Sequence, residues 1–137
     1  MSQEIKFRGK RIDNGEWVEG YYAKHGSRHW IYTGQIQYMY YPACADLPTK
    51  YEVDPSTVGQ YIGVNDKNGK EIYEDDIVLS DDGKVGQVQW FEEHLAFMIW
   101  CVTDNKVYFA YENDFSKIEV IGNVYENADL LKEAGNE

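Results

Sequence analysis

Positive charge is scarce in this chain. Its 137 residues carry 13 Lys and Arg against 24 Asp and Glu, a formal net charge of −11. That balance works against unspecific attachment to nucleic acid, in which Lys and Arg displace counterions from phosphates. It favours solubility. Cysteine is scarcer still: Cys44 and Cys101 are the two, and they show no zinc-type spacing. No apolar run approaches the ~20 residues needed to span a bilayer. The start, MSQEIKFR, has no apolar segment of the kind a secretory leader needs. A cytoplasmic protein with free thiols at Cys44 and Cys101 is therefore expected. Nor is there a glycine-rich phosphate loop, because Gly59 and Gly63 lack both the pattern and a following helix. No internal repeat or low-complexity tract occurs.

Alternation of period two is what the chain does have, and it predicts strands. Ile5, Phe7 and Gly9 alternate with Lys6, Arg8 and Lys10, so the first strand has a basic stripe. Asp13-Asn14-Gly15 is a hairpin turn, and residues 16–22 return with Trp17, Glu19 and Tyr21 on one face. Residues 30–32 and 35–41 form a second pair of strands around Thr33-Gly34. Residues 42–50 show no period and are expected as a long exposed loop.

Residues 53–78 hold the densest signals. Asp54 suits the cap of a helix start and Pro55 its first position, which gives one short turn. Residues 58–63 read as a strand, Asn68-Gly69 as a turn that tolerates positive φ, and Ile77-Val78-Leu79 as the next strand start. Asp81-Asp82-Gly83 closes a hairpin into residues 85–91. LAFMIWCV, residues 95–102, is apolar on both faces and predicts a central strand covered on both sides. Residues 106–111 and 117–121 are the last strands. A short helix is expected from Asn127 to Glu133, with Leu130 and Leu131 as its apolar contact. The expected fold is mainly β. Residues 1–53 form an aromatic-rich β lobe with loop 42–50, and residues 54–137 an SH3-like small β-barrel with the C-terminal helix.

Five segments together resemble the YopX family of small phage and prophage proteins. They are IKFRGKR at 5–11, GEWVEG at 15–20, VDPSTVGQY at 53–61, DKNGKEIYE at 66–74 and EVIGNVYEN at 119–127. Singly each is a turn or strand fragment; together they are specific and cover almost the whole chain. The family more often has Gly where this chain has Asp75. It has no established activity and no catalytic residues to carry over. The resemblance therefore implies a phage or prophage origin and a fold rather than a mechanism.

His25 and His29 are four apart, but Gly26, Ser27 and the aromatic strand after them argue against the helix that would align them on a metal. Asp66-x-Asn68-Gly69 resembles part of a calcium loop. Aligned on the glycine, Val64 falls where the first carboxylate must be, so a β-turn is expected. Asp54, Asp75, Asp76, Asp81 and Asp82 each read as caps or turn residues rather than acid–base pairs. Cys101 sits in an apolar strand, where a thiol is usually inert, and no nucleophilic dyad supports Cys44.

The positive signal is aromatic. Tyr21, Tyr22, Trp30, Tyr32, Tyr38, Tyr40 and Tyr41 are too many for one small lobe to bury, so some are expected to line a groove or subunit interface. The plainer alternative is an amphipathic β surface with Tyr tips in water. Lys6, Arg8, Lys10 and Arg11 are a candidate anion contact, or simply a solvated strand face that discourages edge pairing. The expected function is that of a non-enzymatic phage or prophage accessory protein, a protein-binding module that also self-associates. No cofactor, metal or membrane is expected. The alternatives are a nucleic-acid-associated or DNA-mimic protein and, last, an enzyme using the region of Asp75 and Asp76.

Overall fold

The computed structural model describes residues 5–33, 49–110 and 113–135. Its strands are antiparallel and fall into two sheets. The first has the order β4-β3-β2-β1-β5-β6, built from β1 (Phe7–Lys10), β2 (Trp17–His25), β3 (Arg28–Tyr32), β4 (Lys50–Glu52), β5 (Gly59–Asn65) and β6 (Glu71–Tyr73). The second has the order β10-β9-β8-β7-β11, built from β7 (Asp76–Ser80), β8 (Val85–Phe91), β9 (Ala96–Cys101), β10 (Lys106–Phe109) and β11 (Ile118–Asn123). One short helix, α1 (Ala128–Gly135), ends the described chain where the Leu130-Leu131 pattern predicts it. By packing, the chain divides into two units, Met1–Gln60 and Tyr61–Glu137. No described helix is long and apolar enough to cross a membrane.

In the first unit, Asp13-Asn14-Gly15 turns β1 into β2 as expected. Gly15 takes φ 73° and Asn14 Oδ1 accepts the Glu16 amide at 2.9 Å. The registers Lys10↔Trp17 and Tyr22↔Ile31 fix which side chains share a face. Ile31 and Val53 are fully buried, each worth about 1.5–3 kcal/mol relative to exposure. Gly9 lets Val53 lie close, since a Cβ there would stand 3.0 Å from the Val53 Cβ. Gly20 is tighter: its Cβ would stand 2.1 Å from the Tyr32 carbonyl oxygen, so only glycine admits this approach of β3.

Asp54 caps the single turn Pro55–Thr57 by accepting the Ser56 amide at 3.0 Å. The turn is tied back to β1. The Asp54 amide donates to the Lys10 carbonyl at 2.8 Å, and the Lys10 amide donates to Thr57 Oγ1 at 2.9 Å. These bonds place the turn with the first unit. Lys50, read as the end of a loop, instead begins β4, because residues 50–52 pair with β3 in the register Tyr32↔Lys50 and Trp30↔Glu52. The strand expected over residues 35–41 lies outside the described residues, as do positions 42–48 of the expected loop.

The second unit has a conventional core of Ile72, Val78, Val88, Ile99, Ile118 and Val120, with Ile62 and Phe115 packed against it. Met98 and Ile99, neighbours that point to opposite faces of β9, are both buried. The central strand is thus covered on both sides, as its double-faced apolar run predicts. Trp100, on the Met98 face, lines a cleft together with Ala128 and Leu131 of α1.

The turn at Asn68-Gly69 is built on Asp66, which is 6% exposed. Its carboxylate accepts the amides of Asn68, Lys70 and Val120 at 2.8, 2.9 and 2.9 Å. Asp75 adopts φ 71°, the conformation that favours glycine. Its side chain accepts the Tyr125 hydroxyl at 2.7 Å. The SH3-like barrel expected here is not confirmed. The sheet has two ends, β10 and β11, which do not pair with each other among the described residues.

Candidate functional site

Strand alternation and register bring Arg8 and Lys10 of β1, Trp17, Glu19 and Tyr21 of β2, Trp30 and Tyr32 of β3, and Lys50 and Glu52 of β4 to one face of the first unit. The opposite face carries the buried Ile31 with Phe7, Tyr22 and Tyr51. The first face is open except at Arg8, which is buried at 8% exposure. Tyr21 is 48% exposed, and Glu19, Arg28 and Lys50 are exposed beside half-buried Trp17, Trp30 and Tyr32.

Cations meet both indoles. The Arg8 guanidinium lies 4.7 Å and the Lys10 ammonium 5.5 Å from the Trp17 ring centroid. Arg28 lies 4.7 Å and Lys50 4.6 Å from the Trp30 ring. The ring quadrupole attracts each cation, and the aliphatic stems cover ring surface that water would otherwise meet. Arg28 also forks onto Glu52, with Nη2–Oε1 2.8 Å and Nε–Oε2 3.2 Å. That bidentate hydrogen bond raises the Arg28 pKa and lowers that of Glu52.

The expected residues divide between the two faces. Tyr21, Trp30 and Tyr32 join the open face with Arg8 and Lys10. Tyr22 turns to the other face, tilted on Phe7 at 5.5 Å and stacked on His29 at 5.8 Å, with its hydroxyl bonded to His29 Nδ1. Arg11 leaves the stripe to lie 4.1 Å over Tyr51 and to fork onto Asp13. Lys6 lies just before β1, half-buried. Tyr38, Tyr40 and Tyr41 lie outside the described residues, as does Cys44. Trp17, Arg28, Lys50 and Glu52 were not singled out from the sequence. Trp17 was legible, since the hairpin turn alone sets it opposite Lys10. Lys50 and Glu52 were not, because nothing local marks β4 as a strand.

Charge is split between the units. Residues 1–60 hold 7 basic and 7 acidic side chains, a balance of zero, whereas residues 61–137 hold 6 and 17, which accounts for all of the −11. The face carries Lys10, Lys50 and Glu19, the ion pair of Arg28 with Glu52, and the buried Arg8.

Four of the five carboxylates weighed as catalytic groups, Asp54, Asp75, Asp76 and Asp82, have structural partners. Asp76, 1% exposed, accepts the Tyr73 amide at 2.8 Å. Asp82 accepts the Ser80 hydroxyl, and Asp54 and Asp75 are bonded as described. No group of three His, Cys, Asp or Glu stands in metal-holding geometry among the described residues. A cleft of about 270 Å³ in the second unit has Val78, Ile99 and Ile118 in its wall and Lys84, Cys101 and Tyr108 among its polar lining. Lys84 is matched there by Asp104 at 3.3 Å and Asp82 at 3.9 Å. The Tyr108 hydroxyl, donating at 2.7 Å, leads the effects that hold Asp104 down to about 2. Burial pushes the Cys101 thiol up, away from the thiolate a nucleophile needs.

Fold and site together define a class: an antiparallel two-unit β protein with a cation–aromatic sheet face. The fold is similar to the crystal structure of protein EF1440 from Enterococcus faecalis, with a TM-score of 0.51 and 19% identity over 95% of this chain and 99% of that one. No curated protein matches the chain. The model of the YopX protein family matches residues 6–132. The chain belongs to the YopX family.

Proposed function

We propose that this chain is a non-enzymatic accessory protein of phage or prophage origin, acting in the cytoplasm of the host cell by binding another protein. Its docking surface is the face that carries Trp17, Tyr21, Trp30 and Tyr32. One observation carries the reading: four aromatic rings share one sheet face without being buried in a core, and the two indoles among them are met by cations. Ordered aromatic and Arg side chains on an open surface are the usual anchors of protein interfaces. The non-enzyme reading draws support from Asp54, Asp75, Asp76 and Asp82, whose carboxylates are engaged in caps and turns, and from the raised thiol pKa of Cys101. The five-stranded sheet is read as an open relative of SH3-like small barrels, which present strand faces and loops to partners.

The test is affinity capture from infected or lysogenic host cells, with and without nuclease, using the parent and a Trp17→Ala, Trp30→Ala variant. The proposal expects specific proteins that survive nuclease and are lost with the variant. Recovery only through nucleic acid, falling steeply with salt, points instead to nucleic-acid association. A second copy of the chain is one protein this face is proposed to bind. Light scattering at tens of micromolar that finds a monomer counts against that form.

A further inference from the structure

We infer that the cleft of the second unit is a binding site for a small uncharged aromatic molecule, about two fused rings in size, that carries one N–H or O–H donor. The inference does not depend on the docking face of the first unit, because all the lining residues fall within 61–137.

Size and floor are the first support. The cleft holds about 270 Å³. An apolar cavity of about 150 Å³ takes up benzene, so this one has room for a second ring. Its floor is made by Val78, Ile99 and Ile118, which belong to the apolar core. A ring laid there extends that core and removes apolar surface from water. Gly86 adds bare backbone to the floor, with Ile99 so near that a Cβ at Gly86 would stand 2.6 Å from its Cγ2. Cys101 stands in the floor as a neutral thiol, because burial pushes its pKa up.

The rim is the second support, because its charges are already matched. Lys84 lies between Asp104 at 3.3 Å and Asp82 at 3.9 Å. The Ser80 hydroxyl donates to Asp82, and the Tyr108 hydroxyl donates to Asp104 at 2.7 Å. An anion entering here meets two carboxylates beside one lysine that is already paired. A cation would give up water for an apolar floor. A neutral ring meets neither cost.

Asn113 is the third support and sets the polar group. Its Nδ2 donates to the Phe109 carbonyl at 2.9 Å, which fixes the amide and leaves Oδ1 as the acceptor at the cleft. That oxygen accepts no hydrogen bond among the described residues. A ring N–H or O–H donor supplies what it lacks.

The experiment is an NMR titration of the full chain, read on methyl signals, with three probes. Indole has the size and the donor; benzofuran has the same shape without the donor; indole-3-acetate adds a negative charge. Indole is expected to shift the methyls of Val78, Ile99 and Ile118 saturably, while those of Ile31 and Val53 in the first unit stay in place. Benzofuran should bind at the same methyls about fivefold more weakly, the worth of one hydrogen bond. Indole-3-acetate should bind more weakly than either. Asn113→Ala should abolish the preference for indole and leave benzofuran binding nearly unchanged; benzofuran thus serves as its own check that the variant is folded. No saturable shift from indole at the cleft methyls overturns the inference, as do equal shifts at Ile31 and Val53. Benzofuran or indole-3-acetate binding as tightly as indole also overturns it, as does a preference for indole that survives Asn113→Ala.

Discussion

In the second unit, apolar side chains make a core, and Asp66, Asp75, Asp76 and Asp104 are bonded around it. In the first unit, Ile31 and Val53 are the fully buried apolar residues among those described, and Trp17 and Trp30 stand outside that core against cations. The second unit carries the whole net charge; the first is balanced. The contrast teaches that aromatic richness has two physical meanings here. Tyr61 and Tyr73, 8% and 2% exposed, are packing residues in the second unit. Trp17, Tyr21, Trp30 and Tyr32 form a surface. Substitutions that separate folding from surface effects test the contrast, and they are ordered here by expected size.

Gly20→Ala should have the largest effect. The added methyl would stand 2.1 Å from a backbone oxygen that no rotamer change can move. A loss of about 3 kcal/mol or more is expected in chemical denaturation, at the upper end for overpacking. A loss below about 1 kcal/mol would mean that the β2–β3 approach is not as close as described.

Asp66→Ala comes next, on the second unit. It leaves the amides of Asn68, Lys70 and Val120 without their shared acceptor, and a loss of about 2–3 kcal/mol is expected. The pH dependence follows from the same bonds. Burial raises the Asp66 pKa, but its three backbone amides together outweigh that and leave it below its ordinary value. Asp104 is held at about 2 against an ordinary 3.8. A carboxylate with a depressed folded pKa stabilises the fold above its unfolded pKa, and the contribution fades as pH falls through the folded one. Stability should therefore drop as pH falls from 3.8 towards 2 for Asp104, and below the ordinary carboxylate value for Asp66. Asp66→Asn with Asp104→Asn should flatten that slope in denaturation midpoints measured against pH. An unchanged slope would contradict the assignment.

Asp75→Gly should be nearly silent. Glycine relieves the backbone at φ 71°, and the lost bonds from the Tyr125 hydroxyl and Gln87 Nε2 offset the gain. A change within about 1 kcal/mol is expected from calorimetry, in either direction.

Much of the fold was legible because it is written in local chemistry. Asp13-Asn14-Gly15, Asp54-Pro55 and Asn68-Gly69 act through their own backbone preferences, and period two marks the strands. The barrel was not legible, since closure depends on which strand edges meet, and β10 and β11 carry no sequence mark of remaining apart. The open face was legible in part. The basic stripe of β1 and the Tyr and Trp residues of β2 and β3 could be read singly, but their meeting needs the register. Lys50 and Glu52 enter only through β4, a three-residue strand with no period of its own. Tyr22 and Arg11 were grouped with the face by proximity in sequence, and side-chain alternation sends them elsewhere.

The central claim is that Trp17 and Trp30 serve a partner more than they serve the fold. It is tested most directly by partner capture from host cells, compared between the parent and the Trp17→Ala, Trp30→Ala variant at equal amounts of folded protein. The account predicts a variant that unfolds with nearly the parent's cooperativity, since cation–π contacts at exposed sites are worth about 0.5–1 kcal/mol each, and that no longer captures the proteins the parent captures. A variant that retains the same partners, or that loses its fold outright, would contradict it.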